Sequence, residues 1–195
     1  MVAVGGPVIH LWRHPRPKAA VGRCIGRTDL QVDPRKSKRL AHRIRQHARR
    51  HGLSREVHTS ALRRSADVGR WLARWGWVHH IDEALSEIDF GAWDGKHWAT
   101  IGEPAVSAWC EDLAGYRDHG GESVSALFDR CARWFGRVHG PSALCVVGHA
   151  GWVNAARLLC QGSGPPRLAS DWPKAPGYGE RLELRWPDEV STRAK

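Results

Sequence analysis

The chain has 195 residues, of which 42% are hydrophobic and 26% are charged, and its formal net charge is +10. This composition is typical of a globular protein and excludes the disordered and fibrous classes. No apolar run approaches the roughly 20 residues needed to cross a bilayer. The positive charge favours anionic partners, which could be nucleic acid, acidic surfaces or small phosphorylated molecules.

The five cysteines are scattered along the chain and form no Cys-x-x-Cys pair. Their odd number and spacing favour free thiols in a reducing cytoplasm over a disulfide framework or a structural zinc. The first residues lack a basic leader and a cleavable apolar core, so we expect no signal peptide and a cytoplasmic location. The 12 histidines contain no His-Glu-x-x-His motif, and we predict neither a bound metal nor another cofactor.

The first predicted element is a strand over residues 8–12, which stops at Arg13-His14 and is followed by two prolines within three residues. A helix is predicted over residues 35–51 and is closed by Gly52. This helix is strongly basic, with a thin apolar stripe that predicts a core-facing side and a solvated outer face. A nucleic-acid role stays open as an alternative, but we do not expect one because no known binding module is recognisable.

Further along the chain, apolar residues recur at strand or helix spacing in six segments. The predicted strands cover residues 56–60, 143–147 and 181–186, the last at a sheet edge, and the predicted helices cover 62–75, 124–138 and 152–160. Between about 160 and 180, four glycines and four prolines predict a long irregular loop. Alternating strands and helices predict one domain over residues 1–195, a three-layer α/β/α fold with a mostly parallel central sheet.

Histidines follow two of these strands within two residues, His14 after the first and His149 after "ALCVV". In open α/β sheets ligands bind at the carboxyl ends of the strands, so the two imidazoles can face one pocket. The segment "HTSALRRSA" adds arginines at a helix start, a combination that binds anions. In "LSEIDFGAWDG", Glu87 lies beside apolar residues that can tune a carboxyl for general acid catalysis.

These segments together resemble the histidine phosphatase superfamily, which has the phosphoglycerate mutase-like fold. The resemblance covers about residues 8–160 and depends on "LWRHPRP", "HTSALRRSA", "LSEIDFGAWDG" and "VVGHAGWVNA" in that order, with "GGESVSALFDR" as a fifth element. Within the superfamily, "GRCIGRTDL" together with "EIDFGAWDG" is most similar to the α-ribazole phosphatases of cobalamin synthesis. The implied substrate is a small phosphorylated molecule, α-ribazole 5′-phosphate in that subfamily.

The resemblance implies a role for each matching residue. His14 would be the nucleophile that forms a phosphohistidine, and Glu87 would protonate the leaving alcohol and later activate water. His149 would stabilise the transferring phosphoryl group. Arg13 and Arg64 would bind its oxygens, Arg64 rather than its neighbour because it precedes a small Ser-Ala pair. No metal or cofactor is implied.

Two positions depart from the family pattern. Pro15 replaces the usual glycine after the nucleophile and removes a backbone N–H that could contact phosphate. Ala20 stands where an asparagine is often found. Arg16 and Arg27 are candidates to compensate by binding substrate, and Trp93 and Trp98 are candidates to line the pocket or to pack in the core.

Other functions are compatible with parts of the sequence. A phosphoglycerate mutase-like phosphoryl transferase is one alternative, although the short segment between the second and third motifs leaves little chain for a protective lid. A non-catalytic basic domain that binds nucleic acid is the other. Cys131 and Arg137 match Cys-x5-Arg, but they fall within a predicted amphipathic helix and not in a phosphate-binding turn, so we reject this site.

Overall fold

The computed structural model of the protein describes residues 7–138 and 143–187, and a five-stranded sheet lies at its centre. The strands are β1 (Val8–Arg13), β2 (Glu56–Thr59), β3 (Val78–Ile81), β4 (Leu144–Gly148) and β5 (Arg181–Arg185). Their spatial order is β3-β2-β4-β1-β5, with β5 antiparallel to β1 and the other pairs parallel. The predicted mostly parallel sheet is therefore confirmed.

Helices cover both faces of this sheet. They are α1 (Pro34–His51), α2 (Arg63–Ala73), α3 (Trp98–Ile101), α4 (Glu103–Glu111), α5 (Val124–Arg137) and α6 (Ala150–Cys160). Side chains of α1 and α2 pack with Trp12, Val57 and Val147 on one face. Side chains of α5 and α6 pack with Ile9 and Leu11 on the other, which completes the three α/β/α layers.

The local sequence explains where α1 begins and ends. The Asp33 carboxylate accepts a hydrogen bond from the Arg35 amide at the helix start, and Pro34 occupies a first-turn position where no amide hydrogen is needed. At the other end Gly52 adopts a left-handed conformation with φ of 62° and donates its amide to the Ala48 carbonyl. The predicted closure by glycine is confirmed.

The elements that sequence periodicity missed are short or exposed. The edge strand β3 exposes most of its "VHHI" residues and so shows no apolar alternation, and α3 and α4 bury no residue completely. Within the predicted irregular loop after α6, the only regular structure is a 3-10 turn at Ala169–Asp171.

Three neighbouring parallel strands end at the same edge of the sheet. The end of β1 carries Arg13 and His14, the end of β2 carries Thr59 and Ser60, and the end of β4 leads into His149. Because β4 lies between β1 and β2, segments far apart in the sequence become neighbours here. This edge is therefore the place where a ligand site is expected in such a sheet.

In the described parts of the chain, no helix is both long and apolar enough to cross a membrane.

We expect Ile44→Ala to lower the free energy of unfolding by about 2–4 kcal/mol, because the Ile44 side chain is completely buried where α1 packs against α2 and the sheet. Urea denaturation followed by circular dichroism measures this change. Gln46→Ala, on the exposed side of the same helix, is the matched control and should change stability by less than about 0.5 kcal/mol. Equal losses in the two variants would contradict this assignment of the buried face.

Candidate active site

The His14 ring is buried at the end of β1 and is held in one orientation. Its Nδ1 lies 2.8 Å from the Pro15 carbonyl oxygen, and its backbone amide donates to the Gly148 carbonyl at 3.0 Å. A carbonyl can only accept, so Nδ1 carries the hydrogen and Nε2 keeps its lone pair. Proline lacks an amide hydrogen but retains its carbonyl, and this carbonyl is the group that orients His14.

Burial lowers the pKa of His14 well below its ordinary value, and the nearby Arg64 guanidinium lowers it further. The hydrogen bond to the Pro15 carbonyl opposes this shift. The ring is therefore neutral at physiological pH, which is the form in which an imidazole nitrogen is nucleophilic.

The guanidinium of Arg64 is buried beside His14, at the start of α2. Its Nε donates to His149 Nδ1 at 3.1 Å, its Nη1 donates to the Thr28 carbonyl at 2.7 Å, and its Nη2 donates to the Gly26 carbonyl. Neutral acceptors thus take these bonds and the full positive charge remains. Burial lowers the pKa of Arg64, while more distant carboxylates, Glu87 foremost, raise it.

Asp94 holds the turn that supplies these two carbonyls. Its carboxylate accepts hydrogen bonds from the amides of Gly26, Arg27 and Thr28 and from the Thr28 hydroxyl. A side chain at residue 26 would collide with the Ile88 carbonyl, since an added Cβ would lie 2.2 Å from that oxygen. The segments "GRCIGRTDL" and "EIDFGAWDG" therefore form one structural unit that positions Arg64.

Both ring nitrogens of His149 are engaged. Nδ1 accepts from Arg64, so Nε2 carries the hydrogen and donates to the Ser60 hydroxyl at 2.7 Å. Burial lowers the pKa of His149 well below its ordinary value, with Arg64 and His14 adding to the effect. The ring centroids of His149 and His14 are 5.0 Å apart, so the two neutral imidazoles are neighbours, with His149 completely buried.

The carboxylate of Glu87 lies against the N-terminus of α6. It accepts hydrogen bonds from the amides of Ile88, Gly151 and Trp152 at 3.1–3.3 Å. A Cβ on residue 151 would lie 2.5 Å from Glu87 Oε1, so only glycine allows this approach. The partial positive charge of a helix N-terminus favours a carboxylate at this position.

Arg130, from the fifth sequence element, fixes the turn that carries Glu87. Its Nη1 donates to the carbonyls of Ala84 and Ser86 at 2.8 and 2.9 Å, and its Nη2 forms an ion pair with Glu122 at 2.7 Å. The element "GGESVSALFDR" therefore acts on the site through the position of Glu87.

Arg13 is held by the loop that precedes β5. Its Nη1 donates to the Pro176 carbonyl at 2.7 Å, and its guanidinium carbon lies 3.8 Å from the centroid of the Tyr178 ring. The Tyr178 ring also lies 5.7 Å from the His14 ring. Gly179, with φ of 72°, donates its amide to the Arg13 carbonyl, and this contact draws the loop over the strand end.

The cavity at this edge has a volume of about 410 Å³, and Arg13, His14, Arg64 and Glu87 line it. His149 does not line the cavity itself, but it hydrogen-bonds to Arg64, which does. The rest of its lining is mainly apolar. Five aromatic residues contribute, namely Phe90, Trp98, Trp109, Trp172 and Tyr178, together with Ile25, Ile88, Leu113, Val124 and Leu127.

Of the remaining sequence candidates, only Trp98 lines the cavity. Arg16 is exposed and does not line the cavity, and Arg27 forms an ion pair with Glu83 at 3.4 Å. Trp98 lines the cavity, whereas Trp93 is buried behind it and meets Trp98 edge to face.

Cys131 lies within α5, and its burial raises the pKa of the thiol well above the ordinary value. The helical position of Cys131 agrees with the rejection of the Cys-x5-Arg match.

Sequence reasoning missed Ser60, Tyr178 and Arg23 as residues of this site. Ser60 carried a usable signal, because it is the last residue of a predicted strand and so lies at a strand end, as His14 and His149 do. Tyr178 lies in "PGYG" within the irregular loop, where no periodicity indicates which side chain turns inward.

The family model described as "Histidine phosphatase superfamily (branch 1)" matches residues 9–172 of the chain. Among curated proteins, no match was found.

Several solved structures share the fold. A mycobacterial glucosyl-3-phosphoglycerate phosphatase in complex with VO3 is 23% identical with a TM-score of 0.72, and the match covers 91% of this chain and 92% of that one. The Thermus thermophilus protein TTHB049 is 24% identical with a TM-score of 0.68, over 92% and 94%. YhfR of Bacillus stearothermophilus is 19% identical with a TM-score of 0.76, over 91% and 90%.

We expect long-range ¹H–¹⁵N spectra to show His14 as the neutral Nδ1–H tautomer at pH 6.5, where an imidazole with the reference pKa of about 6.5 is half protonated. His14→Ala assigns the signal. Because the folded state keeps this ring neutral while the unfolded chain binds a proton, the stability from this group is complete above pH 6.5 and is lost as the pH falls below it. A ring that is half protonated at pH 6.5 would contradict the burial argument.

Proposed function

The chain belongs to the histidine phosphatase superfamily, and we propose that it is a metal-independent phosphomonoesterase that works through a phosphohistidine on His14. The observation that carries this proposal is the buried guanidinium of Arg64 beside a neutral, oriented imidazole. Among the described residues, no carboxylate forms an ion pair with Arg64. A buried cation without a counterion favours a multiply charged anion, and a phosphoryl group next to His14 satisfies this requirement.

The reaction has two displacements. The first starts with Glu87 in its protonated form: the Nε2 lone pair of His14 attacks phosphorus, the P–N bond forms, the P–O ester bond breaks, and Glu87 gives its proton to the leaving alkoxide. In the second, Glu87 takes a proton from water, the resulting oxygen attacks phosphorus, and the P–N bond breaks to release phosphate. Each step ends with His14 and Glu87 ready for the next, so no redox partner or cofactor is required.

The remaining site residues act on charge. Arg64 and Arg13 bind the phosphoryl oxygens, and His149 sits between Arg64 and Ser60 to orient the guanidinium and stabilise the transferring group. Arg16 and Arg27 remain proposed substrate contacts from the sequence, but neither lines the cavity, so they could reach only a part of the substrate that extends beyond it. Free cysteine thiols support a cytoplasmic location for this reaction.

For the substrate we propose a phosphate ester of an aromatic nucleoside, with α-ribazole 5′-phosphate as the specific candidate. The apolar lining of the cavity supports an aromatic leaving group, and Trp98 and Trp109 stack at 5.9 Å to form one wall. A second sugar or a carboxylate in the place of the aromatic base would lose its hydration against this wall without regaining hydrogen bonds. Beyond the phosphate-binding arginines, Arg23 is the one further cation that lines the cavity in the described chain.

The joint recognition of phosphate and an aromatic group also fits the size of the cavity. A volume of about 410 Å³ is within the range for drug-sized ligands. The unit formed by "GRCIGRTDL" and "EIDFGAWDG", which motivated the α-ribazole prediction, contributes Ile25, Phe90 and the Asp94-held turn to this site.

We expect the protein to release phosphate from a generic aryl phosphate equally well with and without EDTA. His14→Ala should lower kcat by about 10³-fold or more, because the nucleophile is lost. His51→Ala, at the exposed end of α1, is the matched control. Full activity of His14→Ala would contradict the nucleophile, and phosphoryl transfer to a second alcohol without phosphate release would favour a mutase.

We expect α-ribazole 5′-phosphate to have a kcat/KM roughly 70-fold above that of ribose 5-phosphate. Both esters have the same primary leaving group, so the ratio reports binding of the base. Burial of about 100 Å² of aromatic surface at about 25 cal/mol/Å² gives about 2.5 kcal/mol.

The variant Trp109→Ala should reduce this ratio by about tenfold with little change for ribose 5-phosphate. Trp71→Ala, on the opposite face of the molecule, is the control and should leave the ratio unchanged. A ratio near one in the wild-type protein would overturn the aromatic substrate while leaving the phosphatase proposal intact.

A further inference from the structure

Three potential metal ligands converge at the exposed edge of the sheet, outside the phosphatase cavity. Glu56 and His58 lie two residues apart on β2 and so point to the same face, and His80 on β3 is the register partner of His58. One ligand atom from each side chain lies within 4.8 Å of those of the other two. His58 and His80 are 22 positions apart in the sequence, so only strand pairing brings them together.

The three side chains have few other polar partners. The carboxylate of Glu56 lies 3.4 Å from His80 Nε2, and within the described chain neither His58 nor His80 hydrogen-bonds to another protein group. The His58 ring packs edge to face on Trp134, which orients it, and lies stacked on the His80 ring at 4.7 Å. Their nitrogens are thus free to bind a ligand that approaches from solvent.

We propose that Glu56, His58 and His80 bind one divalent transition-metal ion of the Zn²⁺ type. Two imidazole nitrogens and one carboxylate oxygen form the ligand set that suits Zn²⁺ and related ions. Metal–ligand bonds of about 2.1 Å place tetrahedral donors about 3.4 Å apart, so ligand atoms that lie within 4.8 Å of one another must move closer by at most about 1.4 Å. The His80 ring, which is stacked on His58, must also turn so that its lone pair points at the ion. Glu56 and His80 are exposed at the edge, which leaves room for these rotations and for water at a fourth position.

This site is independent of the proposed reaction. None of its three residues lines the phosphatase cavity, and they lie on the face of the sheet that packs against α5. The ion would connect β2 to the edge strand β3, which contributes few buried side chains of its own. A ligand that binds only the folded state stabilises it, so the expected consequence is a more stable sheet edge.

A second histidine cluster provides a sharp comparison. His47 Nε2 lies 3.1 Å from His10 Nδ1, and the His51 ring lies 4.2 Å from the His47 ring. A carboxylate is present there too, since Glu183 lies 3.6 Å from His10 Nδ1, but it pairs with Arg181 at 2.9 Å. Arg181 Nη1 is itself 3.4 Å from His10 Nδ1, and this cation opposes the binding of another. The two clusters contain the same residue type but differ in charge, so they should differ in affinity for metal.

The test is a Zn²⁺ titration of untagged, chelator-treated protein against a chromophoric chelator, with Co²⁺ absorption as a second readout of coordination. We expect one Zn²⁺ per chain with a micromolar Kd and a higher Tm in the presence of Zn²⁺. His80→Ala and His58→Ala should each weaken binding by about tenfold or more, and His80 is exposed enough for its variant to fold normally.

The matched control is His47→Ala, which should leave Zn²⁺ affinity unchanged. The proposal is overturned if the protein shows no saturable binding in the micromolar range, if His58→Ala and His80→Ala both bind Zn²⁺ as the wild type does, or if His47→Ala alone abolishes binding. Phosphatase activity plays no part in these outcomes, so the two proposals fail separately.

Discussion

Arg64 is only 1% exposed and carries a full positive charge. The rest of the site is arranged to stabilise this buried guanidinium. Backbone carbonyls and an imidazole bind the guanidinium but leave its charge uncompensated. Those carbonyls face Arg64 because Asp94 gathers the amides of residues 26–28 on the other side of the same turn. The end of the sheet is therefore a place where an anion is needed to balance the charge.

The two histidines respond to this charge in different ways. His14 keeps its Nε2 lone pair available because the Pro15 carbonyl engages the opposite nitrogen. His149 uses both nitrogens to connect Arg64 with Ser60. Burial and the neighbouring guanidinium lower the pKa of both rings, so the site presents one neutral imidazole with a free nitrogen, the proposed nucleophile, and one neutral imidazole that positions Arg64.

Glu87, the proposed acid–base group, has a support of its own. Arg130 holds the turn around Glu87 through backbone carbonyls, and Gly151 leaves room for the carboxylate at the start of α6. Charge is thus concentrated at one end of the cavity, while tryptophans and aliphatic side chains form the other. This division gives a substrate with an anionic end and an aromatic end complementary surroundings over its whole length.

The sequence alone determined the layered fold, because apolar periodicity marks every long helix and each buried strand. Arg13, His14, Arg64, Glu87 and His149 were singled out from the sequence by the motifs of the family resemblance, and the structure brings these side chains together at one end of the sheet. The exposed strand β3 was not predicted, because its residues do not alternate between buried and exposed positions.

Only the tertiary structure decided which backbone carbonyl orients His14 and which turn supports Arg64. It also decided how Tyr178 reaches the cavity and that His58 meets His80. These contacts join segments far apart in the chain, and strand order and loop geometry create them without leaving a local pattern in the sequence.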